Sequence, residues 1–151
     1  MFSQSVSCQR LRNVSDNLIA QFNIKALILG AGVYVAVYVL HAGVLTFVGN
    51  VTPGVWKSQV FVSLNHLVSL VTWAIAGYIA GRIATARGIL HGVVVGVLCV
   101  LITVLGSYVL GVFTSWARVG TSVLSGWLLG MFVCALAGGV GELYARHASR
   151  M

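Results

Sequence analysis

Residues 77–92 read Gly77-Tyr78-Ile79-Ala80-Gly81-Arg82-Ile83-Ala84-Thr85-Ala86-Arg87-Gly88-Ile89-Leu90-His91-Gly92. Two arginines here bracket a short break between two apolar runs, 58–81 and 89–113, each holding the roughly 20 apolar residues that a membrane-crossing helix needs. A break this short returns the chain at once, so the flanking helices are expected to be antiparallel neighbours. Two further runs of the same kind, 26–48 and 119–144, lie outside this hairpin. They are set off by Gly49-Asn50-Val51-Thr52-Pro53-Gly54, with Trp56 and Lys57 just beyond, and by Ser115-Trp116-Ala117-Arg118. The pattern predicts an all-α integral membrane protein, a bundle of four antiparallel transmembrane helices.

Composition agrees. Hydrophobic residues make up 59% of the 151-residue chain, against nine Lys and Arg, two acids and one Pro. So little polar surface excludes a soluble catalytic domain and a basic nucleic-acid-binding module. The basic residues instead read as a topology signal. Arg10, Arg12, Lys25, Arg82, Arg87, Arg146 and Arg150 fall on one side of the predicted spans, and only Lys57 and Arg118 on the other. This bias places both termini and the middle loop in the cytoplasm, where the cations also meet anionic lipid headgroups.

Residues 1–25 form a cytoplasmic N-terminal segment too polar for a secretory signal core. Leu11, Val14, Leu18 and Phe22 recur at helical spacing behind a cap-like Asn13, which predicts a short amphipathic interfacial helix. Residues 145–151 read as a cytoplasmic tail. Of the three cysteines, Cys8 is cytoplasmic and Cys99 and Cys134 lie at membrane depth, so no disulfide framework or metal spacing arises.

Small residues recur every fourth position. Gly77 and Gly81 do so on the second helix, and Gly88, Gly92 and Gly96 on the third. On the fourth the series is Ser122, Gly126, Gly130, Cys134 and Gly138. In lipid such ridges let helix backbones approach and gain van der Waals contact, within one bundle or with another subunit. There are more ridges than one small bundle obviously needs, which favours a partner interface or self-association.

The segment Gly77-Tyr78-Ile79-Ala80-Gly81-Arg82-Ile83-Ala84 followed by Arg87-Gly88-Ile89-Leu90-His91-Gly92 resembles a hairpin found in small, functionally uncharacterised four-helix membrane proteins of prokaryotes. The resemblance covers about a tenth of the chain. It implies a prokaryotic cytoplasmic membrane and carries no activity with it.

Acids narrow the function. A proton-coupled cation exchanger needs a carboxylate inside the membrane, whereas Asp16 precedes the first span and Glu142 lies at the cytoplasmic end of the fourth. There Glu142 is expected to join Arg82, Arg87, His91 and Arg146 in a charge cluster. No His–carboxylate pair at membrane depth is available to activate a nucleophile, so no catalytic residue is assigned.

The polar residues inside the spans are the candidate ligand site: His41, Asn65, His66 and Tyr108. His41 continues a stripe with Gly30, Tyr34 and Tyr38. His66 continues one with Gln59, Ser63 and Trp73, and Asn65, Ser69 and Thr72 lie beside it. His41 and His66 fall at one depth, roughly 5–6 Å to the outer side of the midplane at about 1.5 Å rise per residue. Equal depth permits them to ligate a b-type haem from two sides, with Lys57 and Arg118 near the propionates. It equally permits a quinone or other apolar ligand, or interhelical hydrogen bonds from Asn65 and His66 to His41, Tyr38, Ser107 or Ser125. The near absence of extramembrane chemistry points to a non-catalytic accessory, assembly or stabilising subunit of a larger membrane complex. An intramembrane ligand- or haem-binding protein and a homo-oligomeric pore lined by the second helix are the alternatives.

Overall fold

The computed structural model describes residues 23–52, 54–109 and 121–151. The predicted N-terminal helix and Arg118 lie outside the described residues. The described chain forms four long α-helices, α1 (Ile24–Val51), α2 (Gln59–Ala84), α3 (Gly88–Val109) and α4 (Thr121–Ala148), with a 3-10 turn at Val55–Lys57. All four are long and apolar enough to cross a membrane. Large side chains such as Ile28, Leu40, Val60 and Leu128 are exposed along them, as lipid-facing positions are.

Helix ends are set by local chemistry more than by the limits of the apolar runs. Asn23 caps α1, its side chain accepting from the Ala26 N–H at 3.4 Å. Ser58 caps α2 through the Phe61 N–H, also at 3.4 Å. Gly54 enters the 3-10 turn at φ 87°, a left-handed conformation that glycine adopts without strain. At the other end of α2, Thr85 adopts φ 57° and its N–H returns to the Gly81 carbonyl, closing the helix. Most helices therefore outrun the predicted spans, and 145–148, expected in the tail, continue α4. A 28-residue helix is about 42 Å long, longer than the roughly 30 Å hydrocarbon core, so its ends reach the headgroup region.

The most extensive packing is between α2 and α4, which are not consecutive in the chain. α4 nests against both α2 and α3, in backbone-to-backbone contact at Gly77 with Cys134, Gly81 with Gly138, Gly88 with Gly138 and Gly92 with Cys134. Gly141 meets the Tyr78 carbonyl in the same way. A Cβ at any of these glycines would strike main chain, which cannot rotate aside, so the close approach depends on their having no side chain. α1 packs on α2 and α3, and among the described residues its backbone does not approach that of α4. There Gly30 admits α2: a Cβ on it would lie 3.0 Å from both the Ala76 carbonyl and the Ala80 methyl.

The core lies where these contacts meet. Tyr34, Trp73, Ala76, Ala80, Val95, Cys99 and Cys134 form one buried cluster, and both cysteines in it are free thiols. All the glycine-to-backbone contacts lie toward one end of the bundle, that of Asn23, Ala84, Gly88 and Ala148. Among the described residues the other half holds a cleft between α1 and α2 and another between α2 and α4.

Candidate intramembrane binding site

The closed end explains how the open end is held. Glu142 of α4 accepts from the Gly88 N–H at the first turn of α3 and pairs with Arg146 one turn along its own helix. α3 has no acid in its own first turn, so α4 supplies the carboxylate that its N-terminal N–H groups favour. Arg82 lies over the Tyr144 ring at 5.1 Å from its centroid. His91, expected in this charge cluster, is instead buried at 1% exposure. Its Nε2 accepts from the Asn23 N–H at 3.0 Å, and its Nδ1 lies 3.1 Å from the Arg87 carbonyl. A backbone N–H only donates and a carbonyl only accepts, so the imidazole is neutral with its proton on Nδ1. Asn23 also donates to the Ile83 carbonyl at 3.3 Å, so one residue joins the ends of α1, α2 and α3.

Toward the open end an aromatic group fills the middle of the bundle. The Tyr34 hydroxyl bonds Thr103 Oγ1 at 2.6 Å, and Thr103 donates in turn to the Cys99 carbonyl. Tyr34 stacks on Tyr38, with centroids 5.8 Å apart and 19° between planes, and meets Trp73 edge-on at 5.7 Å. Trp73 leans over Gly130, where a Cβ would come within 2.7 Å of the indole. The tyrosine and tryptophan rings are thus fixed from three sides.

Two clefts adjoin this group. One, of about 210 Å³ and partly open, lies between α1 and α2 and is lined by Tyr38, His41, Asn65, Ser69, Thr72 and Trp73, among others. The second, of about 450 Å³, lies between α2 and α4 and is lined by His66, Gly126, Trp127 and Leu129. Asn65, Ser69 and Trp73 border both. Ser69 and Thr72 turn their hydroxyls to carbonyls of their own helix at 2.9 Å. Asn65 does not find such a partner: its Oδ1 is buried and without a hydrogen bond among the described residues. An amide oxygen in that position, away from water, costs roughly 1–3 kcal/mol until a donor reaches it.

The structure brings His41 and Asn65 to one cleft and puts His66 on the other, with the Asn65–Ser69–Trp73 stripe between them. That separation does not suit a haem held by both histidines, whose ring nitrogens must face each other about 4 Å apart across one metal. The interhelical bonds expected from Asn65 and His66 are not formed among the described residues. Tyr108 is 67% exposed and lines neither cleft. Of the small-residue series, Gly77, Gly81, Gly88, Gly92, Gly96, Gly130, Cys134 and Gly138 all face this chain's own helices, and only Gly126 faces open space. Ser122 lies in the first turn of α4.

Tyr38, Ser69, Thr72 and Trp73 are among the cleft residues that the candidate set passed over. All sit on the polar stripes of their helices, and that shared face was the available signal. Comparison with family models, with characterised proteins and with solved structures gives no match, so the site is read from its own residues.

Proposed function

We propose that the protein is a non-catalytic, membrane-embedded binding protein that takes a small amphiphile into the cleft between α1 and α2. The observation that carries this reading is Asn65 Oδ1, buried at the cleft and lacking a donor. Intramembrane polar groups are costly and mark sites or interhelical bonds. Here the bonds are not made among the described residues, which leaves the site. The Tyr38 hydroxyl and the His41 ring, also without hydrogen bonds among the described residues, line the same cleft and add to it. In this reading the four helices cross a prokaryotic cytoplasmic membrane in alternating directions with both termini inside, and the cleft lies in the outer half of the bilayer.

The test is the composition of what copurifies. Wild type and Asn65→Leu, prepared identically in mild detergent, are extracted with organic solvent and their lipophiles identified by mass spectrometry. A compound present near one per chain in wild type and depleted in the variant supports the reading. Indistinguishable extracts from two folded proteins sink it.

Gly126 favours a second reading, the accessory subunit of a larger complex. It is the one member of the α4 ridge whose missing side chain leaves open space, and it borders the larger cleft with His66 and Trp127. Such a surface suits a small-residue contact with a partner helix. A pore lined by α2 draws less support, because Thr72 is buried and Asn65 and Ser69 are partly buried against this chain's own helices.

A further inference from the structure

We infer that the α1–α2 cleft takes an amphiphile whose head is a single hydroxylated aromatic ring, the chemistry of a membrane quinol; this rests on the binding reading above and names its ligand class. Size comes first. A cavity of about 150 Å³ accepts one benzene ring, and the cleft holds about 210 Å³. That is room for one ring and its small substituents, and too little for a porphyrin. The cleft is partly open, which gives an apolar tail a way out.

Shape and polarity narrow the class further. Tyr38 and Trp73 present aromatic walls, and neither is free to collapse into the gap. Tyr38 is stacked on Tyr34, which is tied to Thr103, and Trp73 is wedged over Gly130. Flat rings of this kind favour offset or edge-on contact with another ring over contact with a flexible chain. Among the described residues no Lys, Arg, Asp or Glu lines the cleft. A phosphate headgroup brought to this depth would therefore meet no countercharge. The polar groups present are neutral hydrogen-bonding ones: the Asn65 amide, the Tyr38 hydroxyl and the His41 imidazole. Asn65 Oδ1 lacks a donor, and a turn of the amide toward the cleft lets it accept from a ring hydroxyl there. A second hydroxyl across the ring meets Tyr38 or His41, each able to donate or accept.

Three probes with one decyl tail separate the terms: decylhydroquinone kept anaerobic, decanol (hydroxyl without ring) and decylbenzene (ring without hydroxyl). Each is titrated into the detergent-purified full chain, and tryptophan fluorescence is followed with Trp73→Phe as background. Asn65→Leu removes the amide, and Ala42→Leu fills the cleft while keeping every polar group. Micelle partitioning is common to all variants and cancels. The expected result is saturable quenching by decylhydroquinone alone, weakened about tenfold or more in both folded variants. Decanol binding as tightly as decylhydroquinone, with both lost in Asn65→Leu, overturns the ring assignment and leaves the binding reading standing. Responses unchanged by either variant, or no saturation with any probe, overturn both.

Discussion

Gly81 of α2 lies against the backbone carbonyl of Gly138 in α4, with no space for a side chain between them. Both helices reach this contact one turn past an equivalent one, Gly77 on Cys134, so the two run past each other in the same residue order. Gly81→Ala is expected to force main chain apart and to cost about 1–3 kcal/mol, the usual range for overpacking. The control is Gly43→Ala, where a Cβ meets nothing within 4 Å. Unfolding by SDS titration from mild detergent should show an earlier midpoint for Gly81→Ala and none for Gly43→Ala. Equal midpoints would mean that the α2–α4 approach is looser than described.

The four helices were legible in the sequence because membrane insertion needs only length and apolar content, and runs such as 58–81 supply both. The partners of the helices were not, because a small-residue ridge states that something approaches closely without stating what. Gly77, Gly81 and Gly138 read equally well as a partner interface until their neighbours were known. His41 and Asn65 stood out as candidates because polar groups at that depth are rare, and the structure sets both on one cleft. His66 was placed with them on depth alone. Depth gives no azimuth, and the structure turns His66 to the far side of the Asn65–Ser69–Trp73 stripe. His91 was read as a member of the cytoplasmic charge cluster, and the structure buries it instead. Its backbone partners, Asn23 and Arg87, leave no trace in residue type.

Asn23 and His91 share one hydrogen bond, from backbone N–H to Nε2, at the junction of three helices. His91→Ala leaves the part-buried Asn23 N–H without this acceptor, at about 1 kcal/mol or more. Asn23→Ala keeps the backbone N–H but loses the α1 cap and the bond to Ile83, at about 1 kcal/mol. The expected order of stability is wild type, Asn23→Ala, His91→Ala. Hydrogen exchange should show His91→Ala releasing the first turn of α1, whereas α4 keeps its protection. Uniform loss of protection across all helices would contradict the local role.

Glu142 contacts two groups of different worth. Arg146 is 58% exposed on its side chain and pairs within one helix, a geometry worth about 0–1 kcal/mol at most. The Gly88 N–H is part-buried and receives a charged acceptor at a helix N-terminus, where removal leaves an unpaired donor. Arg146→Ala is therefore expected to change stability little, and Glu142→Ala to cost about 1–3 kcal/mol, with Glu142→Gln between them. Comparable losses for Arg146→Ala and Glu142→Ala would show that the intrahelical ion pair, not the contact with the Gly88 N–H, carries the stabilisation from Glu142.

Gly126 and Gly130 are successive members of one ridge and are expected to respond oppositely. At Gly130 a Cβ meets the Trp73 indole at 2.7–2.8 Å, and that ring is already held by Tyr34. Gly130→Ala should displace Trp73, shift its fluorescence and lower stability by about 1–3 kcal/mol. At Gly126 a Cβ meets nothing within 4 Å, so Gly126→Ala should leave the fold unchanged. Gly126→Leu then puts a side chain into the α2–α4 cleft without touching the α1–α2 cleft. If the larger cleft seats a partner helix, crosslinking in native membranes should recover that partner from wild type and from Gly126→Ala but not from Gly126→Leu. Binding of a ligand beside Asn65 should persist in all three. Loss of that ligand in a folded Gly126→Leu protein would show that the two clefts act as one chamber. Partner recovery unaffected by leucine would remove α4 from the interface.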